Sequence, residues 1–253
     1  MKITILGTGT SQGVPVIGCT CEVCTSNDPY DNRLRSSVII HGEEHNVLID
    51  AGPDFRQQML RTGINHLEAI LLTHEHNDHV IGLDDIRPFN HRTGREMAVY
   101  ALPRVADEVK RRFQYIFENP IPGLPRIQLH SIDKDQLLTF GEINIQTIGI
   151  MHGRLPILGF RCGDLAYLTD AKSVEPSEFE KLKGVKYLIV NALHHEKHPT
   201  HFNLEEALAF VESLSPQHAW LTHLSHHMGL SVEISKKLPP NVSIAYDGLV
   251  IDF

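Results

Sequence analysis

A chain of 253 residues, 42% of them hydrophobic, can bury a sizeable core, and its formal net charge of -8 offers no global field to attract nucleic acid or an anionic membrane. No apolar run approaches the ~20 residues of a membrane helix, and Met1–Leu6 alternates like a strand rather than a secretory signal, which points to a cytoplasmic protein. Histidine is the outlier of the composition, with 17 copies.

Lys2–Leu6 predicts a first strand, ending in the glycine-rich Gly7–Gly13. That loop lacks the Gly-Lys-Ser/Thr ending of a phosphate cradle, so close backbone approach to a site is the better reading. Cys19, Cys21 and Cys24 follow in a tight cluster, for which, without a secretory signal, disulfides are not the first expectation. Ser37–Ile40 and Val47–Ile49 predict two strands, the second ending at Asp50. Asp54–Thr62 predicts a short helix stopped by Gly63. Ala69–Leu72 is a buried strand that runs into Thr73-His74-Glu75-His76-Asn77-Asp78-His79, and a helix is expected from Val80.

Met97–Leu102 predicts a strand and Arg104–Phe117 a helix, with Val105, Val109, Phe113 and Ile116 as its apolar stripe. The Lys110-Arg111-Arg112 triplet on that helix fits a solvated face. Asn119–Pro125, with three prolines, must be a loop. Strands are then expected at Ile127–Leu129, Leu137–Phe140 and Ile143–Ile148, the last leading to His152. Phe160–Cys162 and Leu165–Leu168 flank a Gly163-Asp164 turn, and the hairpin ends at Asp170. Cys162 itself suits a small buried hydrophobe. Tyr187–Val190 predicts a strand before His194 and His195, and Leu204–Leu214 a helix whose Asn203 and Glu206 form a capping pair. Trp220–Thr222 closes on His223, and Val242–Phe253 alternates like a strand. Two strand-rich halves, each followed by helices and joined without a linker, predict an α/β sandwich of two sheets face to face, one domain over residues 1–253.

His74, His76, Asp78, His79, His152, Asp170 and His223 all fall at or just past a predicted strand end. Ligands at strand ends converge on one edge of a sandwich, and imidazoles with carboxylates suit a divalent ion. Five histidines and two aspartates exceed one tetrahedral site. They fit two adjacent ions bridged by a carboxylate, an arrangement that yields hydroxide at neutral pH.

The His-x-His-x-Asp-His run resembles the signature of the metallo-β-lactamase superfamily, and the resemblance extends over the whole chain. It implies a metallo-β-lactamase-like αββα sandwich of two mixed sheets. It also implies that His74, His76 and His152 hold one ion, that Asp78, His79 and His223 hold the other, and that Asp170 bridges them. Asp50 matches the family's buried aspartate that orients a ligand, with a plain turn carboxylate as the alternative. The thiols Cys19, Cys21 and Cys24 with His226 look like the structural zinc cluster of the phosphodiesterase in the carbon–phosphorus lyase (phosphonate) pathway, against the alternative of three unmetallated thiols. The same relatives carry a histidine before a late helix that acts in diester cleavage. Here that is His201, with His194, His195 and His198 as rivals.

The resemblance therefore implies a metal-dependent phosphodiesterase acting on a small phosphodiester, cyclic ones included, with zinc or manganese in the active site and His201 as general acid. A homodimer is a further expectation from the resemblance alone. Other members of the fold keep alternatives open: a tRNA 3′-end nuclease, against which the acidic charge argues; a thioester or lactone hydrolase; and a non-catalytic accessory protein of pyrroloquinoline quinone biosynthesis.

Overall fold

The computed structural model describes residues 1–118 and 121–253, so Asn119 and Pro120 of the expected proline loop lie outside the described residues; 121–126 contain neither helix nor strand. The first half of the chain supplies β1 (Lys2–Gly7), β2 (Ser37–His41), β3 (Asn46–Ile49), β4 (Ala69–Leu71), β5 (Met97–Ala101) and β6 (Ile127–Ser131). The second supplies β7 (Leu137–Phe140), β8 (Ile143–His152), β9 (Leu155–Cys162), β10 (Leu165–Leu168), β11 (Tyr187–Asn191), β12 (His218–Thr222), β13 (Val242–Ile244) and β14 (Val250–Asp252). The helices are α1 (Phe55–Thr62), α2 (Asn77–Val80), α3 (Arg87–Thr93), α4 (Pro103–Arg112), α5 (Gln114–Phe117), α6 (Pro176–Glu180), α7 (Leu204–Leu214) and α8 (Ser231–Ser235).

Two sheets of seven strands form, ordered β14-β1-β2-β3-β4-β5-β6 and β13-β12-β11-β10-β9-β8-β7. Both are mixed. In the first, β3 to β6 run parallel and the remaining pairs antiparallel; in the second, β10 to β13 run parallel. The parallel strands are near-continuous apolar runs because both of their faces are covered. One core cluster joins Ile39, Leu48 and Ile70 of the first sheet to Ile145, Phe160 and Tyr167 of the second, and a second cluster packs Val190 and Leu221 under Ala207 and Val211 of α7. This is the expected sandwich with helices outside.

Several elements differ from their expected form. The C-terminal alternation is two short strands, β13 and β14, in different sheets. The chain between them turns through Gly248 (φ 96°), a conformation that interrupts any single strand. The long helix expected over Arg104–Phe117 breaks at Phe113 (φ −107°, ψ 37°) into α4 and α5. Helix α2 starts inside the histidine run, at Asn77, and passes into a 3-10 stretch over Ile81–Ile86 before α3. Of the basic triplet, Arg111 is 75% exposed, as a solvated face requires, but Arg112 turns back on the histidine run and is 22% exposed. Gly9 of the first loop pairs with both Arg35 and Leu224, which is the close backbone approach its glycines suggest.

The entry into the histidine run is packed without slack. A Cβ on Gly82 would sit 2.0 Å from the Gly52 carbonyl oxygen and 2.7 Å from Cβ of Phe55. Both are backbone-fixed atoms, so Gly82→Ala must push the 3-10 stretch off the β3 tip. We expect a loss of about 1–3 kcal/mol in stability, visible as a lower midpoint in thermal denaturation.

Candidate metal centre

Five strand tips, or the segments just beyond them, deliver the candidate ligands and Asp50, and His201 comes from the loop before α7. Asp50 follows β3, His74 follows β4, His152 ends β8, Asp170 follows β10 and His223 follows β12. Asp50 (φ 63°), Asp170 (φ 57°) and His223 (φ 55°) all adopt the left-handed conformation, which costs a non-glycine residue about 1–3 kcal/mol and persists only where the surroundings impose it. Here hydrogen bonds impose it. Asn191, buried at the end of β11, accepts from the Ala171 N–H (2.6 Å) and donates to the Ala171 carbonyl (3.0 Å), fixing the turn that carries Asp170.

The imidazoles are oriented in the same way. His79 Nδ1 donates to Asp50 Oδ2 at 2.7 Å. Thr73 donates its hydroxyl to Asp50 (2.9 Å to Oδ2) and accepts from His74 Nδ1 (2.9 Å). His152 Nδ1 donates to the carbonyls of Asp170 and Thr200, both at 2.9 Å. Ser36 donates to the Gly9 carbonyl (3.0 Å) and accepts from His223 Nδ1 (3.2 Å). With Nδ1 committed in all four rings, Nε2 is left as the lone-pair donor, the usual arrangement behind a metal ligand.

These lone pairs face one volume. His74 Nε2 and His76 Nδ1 are 2.9 Å apart, and donor atoms of His74, His76 and His152 lie within 4.8 Å of one another. His74, His79 and Asp170 form a second such group, and His152, Asp170 and His201 a third. His79 Nε2 lies 3.1 Å from Asp78 Oδ2 and 3.4 Å from Asp170 Oδ2, while His223 Nε2 lies 3.3 Å from Asp170 Oδ1. Asp170 thus touches both sets of donors. All seven residues of the constellation come together, six of them largely buried and His76 exposed.

The donor set fits divalent ions. Among the described residues His79 Nε2 is buried without a hydrogen-bond partner although carboxylate oxygens surround it, a position that calls for a cation. Titration behaviour says the same. Burial drives His74 well below the ordinary imidazole range, with the neighbouring His79 adding to the effect, and lowers His223 to about 4. Burial also opposes charge on His79, but Asp170, Asp50 and Asp78 outweigh it and raise that ring well above the usual range. Burial alone would raise Asp170; His223 and His79 outweigh it and hold the carboxylate well below its usual range.

His201 Nε2 is 3.1 Å from Asp170 Oδ1, and its ring stands 4.6 Å from that of His152. Of its rivals, His198 sits behind it, Nδ1 to Nδ1 at 3.1 Å. His195 is turned away onto the Met228 carbonyl (2.9 Å), and the His194 ring is 5.9 Å beyond His198. A separate cluster gathers Cys19, Cys21, Cys24 and His226, whose Nδ1 is 3.4 Å from Cys19 Sγ and 3.3 Å from Cys21 Sγ. The Cys24 N–H and the His226 ring lower Cys21 to about 6, whereas burial lifts Cys24 to about 11. Cys162 is buried and takes no part.

A model of the beta-lactamase superfamily domain matches residues 45–224, which span every donor from His74 to His223 and leave out the cysteine loop. The chain belongs to the beta-lactamase superfamily. A crystal structure of a diphosphatase from the PhnP family superposes with a TM-score of 0.93 at 39% identity, covering 100% of this chain and 97% of that one. An octanoyltransferase of Porphyromonas gingivalis is 44% identical over 98% of this chain; the chain spans only 51% of that protein. A coenzyme PQQ synthesis protein B of Methylorubrum extorquens is 30% identical over 60% of this chain and 61% of its own length. Family and donor set together support a metal-dependent hydrolase.

Sequence reasoning missed Thr73, Ser36 and Asn191. The only available signal was a polar residue placed beside an apolar strand end. Thr73→Val keeps the volume of the side chain but removes the hydroxyl shared by Asp50 and His74. It should weaken zinc retention about tenfold or more, measured by competition with a chromophoric chelator.

Proposed function

We propose that this chain is a metal-dependent phosphodiesterase acting on a small phosphodiester, with His201 as the general acid. The observation that carries the reading is His201 itself. Its Nε2 is poised 3.1 Å from Asp170 Oδ1, next to the carboxylate that would be shared by the two ions. Its Nδ1 lies 3.0 Å from the Thr200 hydroxyl and 3.1 Å from His198, so the ring is held by its far side and can deliver a proton on its near side.

His74, His76 and His152 would hold one divalent ion, Asp78, His79 and His223 the other, with Asp170 between them. Bound zinc or manganese would supply Lewis-acid polarisation of an ester oxygen and a water acidic enough to act as nucleophile. What the protein's own groups add is placement and protons. Asp50 and Thr73 keep His74 and His79 in one tautomer. Asn203 and Glu206 cap α7 just beyond His201 and so fix the end of the loop that carries it. An alkoxide leaves poorly unless protonated, and His201 is the imidazole placed to protonate it.

The diphosphatase of the PhnP family supports cleavage at phosphorus. The octanoyltransferase name favours a second reading, chemistry on an acyl thioester, and the general acid separates the two, since a thiolate leaves without a proton. We also propose that Cys19, Cys21, Cys24 and His226 bind a structural zinc that ties the first loop to the segment after His223.

With zinc or manganese supplied, bis(p-nitrophenyl) phosphate should be hydrolysed faster than the p-nitrophenyl monoester. Activity should vanish in Asp170→Ala; hydrolysis of a 2′,3′-cyclic nucleotide, whose leaving group is an alkoxide, should fall about 10²–10⁴-fold in His201→Ala if that ring is the general acid, whereas p-nitrophenolate leaves without a proton. Turnover of octanoyl thioester alone, untouched by His201→Ala, would favour the acyl reading instead. For the cysteine cluster, Cys21→Ser should cost one bound zinc per chain by elemental analysis and lower the thermal midpoint.

A further inference from the structure

The ligands of the histidine run alternate with two residues that bind no metal in the reading above, Glu75 and Asn77. Both are held by one face of α4. Arg104 makes a bidentate pair with Glu75, Nε to Oε1 and Nη2 to Oε2, each at 3.0 Å. Arg112 donates from Nη1 to the Glu75 carbonyl and to Asn77 Oδ1, the latter at 2.9 Å. Glu108 stands between the two arginines and aims the second, accepting from Arg112 Nε at 3.0 Å.

Residues 104, 108 and 112 are four apart, so they form one stripe along the helix. Beside that stripe, Val105, Ala106 and Val109 are buried against the core, which makes α4 a fixed support rather than a floating arm. The planar fork of arginine suits this task, since two parallel bonds fix direction as well as distance.

His76 is the ligand with most to gain. It is exposed, and among the described residues its ring has a hydrogen-bonding neighbour only in His74 Nε2, itself a candidate ligand atom. His74, His79, His152 and His223 each have a committed Nδ1 behind them. The placement of His76 therefore rests on the segment 75–77, which the arginines grip through the Glu75 carboxylate and carbonyl and the Asn77 side chain.

We infer that Arg104 and Arg112 are positioning residues that set His76, and so tune the affinity of the ion held by His74, His76 and His152 while leaving the other ion alone. The inference rests on the dinuclear reading of the site. It extends the reach of the metal centre to a helix that contributes no ligand.

The test is a zinc titration of metal-free protein against a competing chelator, with cobalt absorption as a second readout of coordination. Arg104→Ala and Arg112→Ala should each weaken one of two active-site ions about tenfold and leave the other within twofold. Arg104→Lys, which keeps the charge but loses the fork, should recover only part of the loss. Lys110→Ala, on the solvated side of the same helix, should bind as wild type. In a His76→Ala background, where the gripped ligand is gone, Arg104→Ala should add no further loss. Equal weakening of both ions, or an unchanged titration in a variant whose circular dichroism is native, would overturn the inference. Wild-type protein that takes up no ion at His74–His76–His152 would sink the dinuclear reading and the inference with it.

Discussion

The structure turns on one buried carboxylate. Asp170 is 2% exposed, and burying an ionised group costs several kcal/mol unless partners compensate. Its partners arrive from every part of the fold: His79 through α2, His201 from the loop before α7, and His223 from the β12 tip, all between 3.1 and 3.4 Å away. The two sheets must therefore meet with their strand tips aligned. A backbone bond across the seam, from the Leu158 N–H of β9 to the Thr73 carbonyl (3.0 Å), holds that alignment at the site itself. The strain in the left-handed turns at Asp50, Asp170 and His223 is sustained by this convergence.

Charge balance explains why the cluster is built for cations. Asp50, Asp78 and Asp170 crowd three carboxylates around His79, whose Nδ1 is already given to Asp50. Those carboxylates pull His79 toward the protonated state, and its Nε2 is the atom left without a hydrogen-bond partner. The place a proton would take is the place a metal ion would take. Protons and ions compete for the same lone pairs in any such site, so metal affinity must fall as the imidazoles protonate. The depressed affinity of His74 and His223 for protons favours the ion in that competition.

The sequence made the ligands legible because a strand tip is recognisable from an apolar run that ends on a polar residue, and five such tips, those of β3, β4, β8, β10 and β12, carried histidines or aspartates. The supports were not legible for the opposite reason. Ser36 meets His223 across 187 residues of chain, and Asn191 meets Ala171 across 20, and neither leaves a periodic trace. Arg112 shows the limit most plainly. In the sequence it belongs to a basic triplet that any exposed helix could carry; only the direction of its side chain, toward Glu75 and Asn77, separates it from Arg111. The break at Phe113 was hidden because the apolar spacing of Phe113 and Ile116 continues through it, both being buried.

The cysteine loop belongs to the same mechanical problem at the other end of the site. Gly9 pairs with Leu224, the Thr10 N–H donates to the Leu224 carbonyl (3.1 Å), and the Leu224 N–H donates to the Thr8 carbonyl (2.9 Å). The first loop is thus zipped to the residue immediately after His223, and His226, two residues further on, meets Cys19 Sγ (3.4 Å) and Cys21 Sγ (3.3 Å) of the same loop. Behind the zip, Arg33 is buried and donates to Thr8 (2.8 Å), the Ala245 carbonyl (2.7 Å) and Ser231 (2.8 Å), binding the loop to the C-terminal part of the chain. His223 is held from this side as His76 is held from α4. Neither brace supplies one of the candidate ligands, so each acts on the metal geometry through the residues it holds. Family membership can then be read from the strand tips, whereas a fold and its metal ligands do not by themselves fix a substrate.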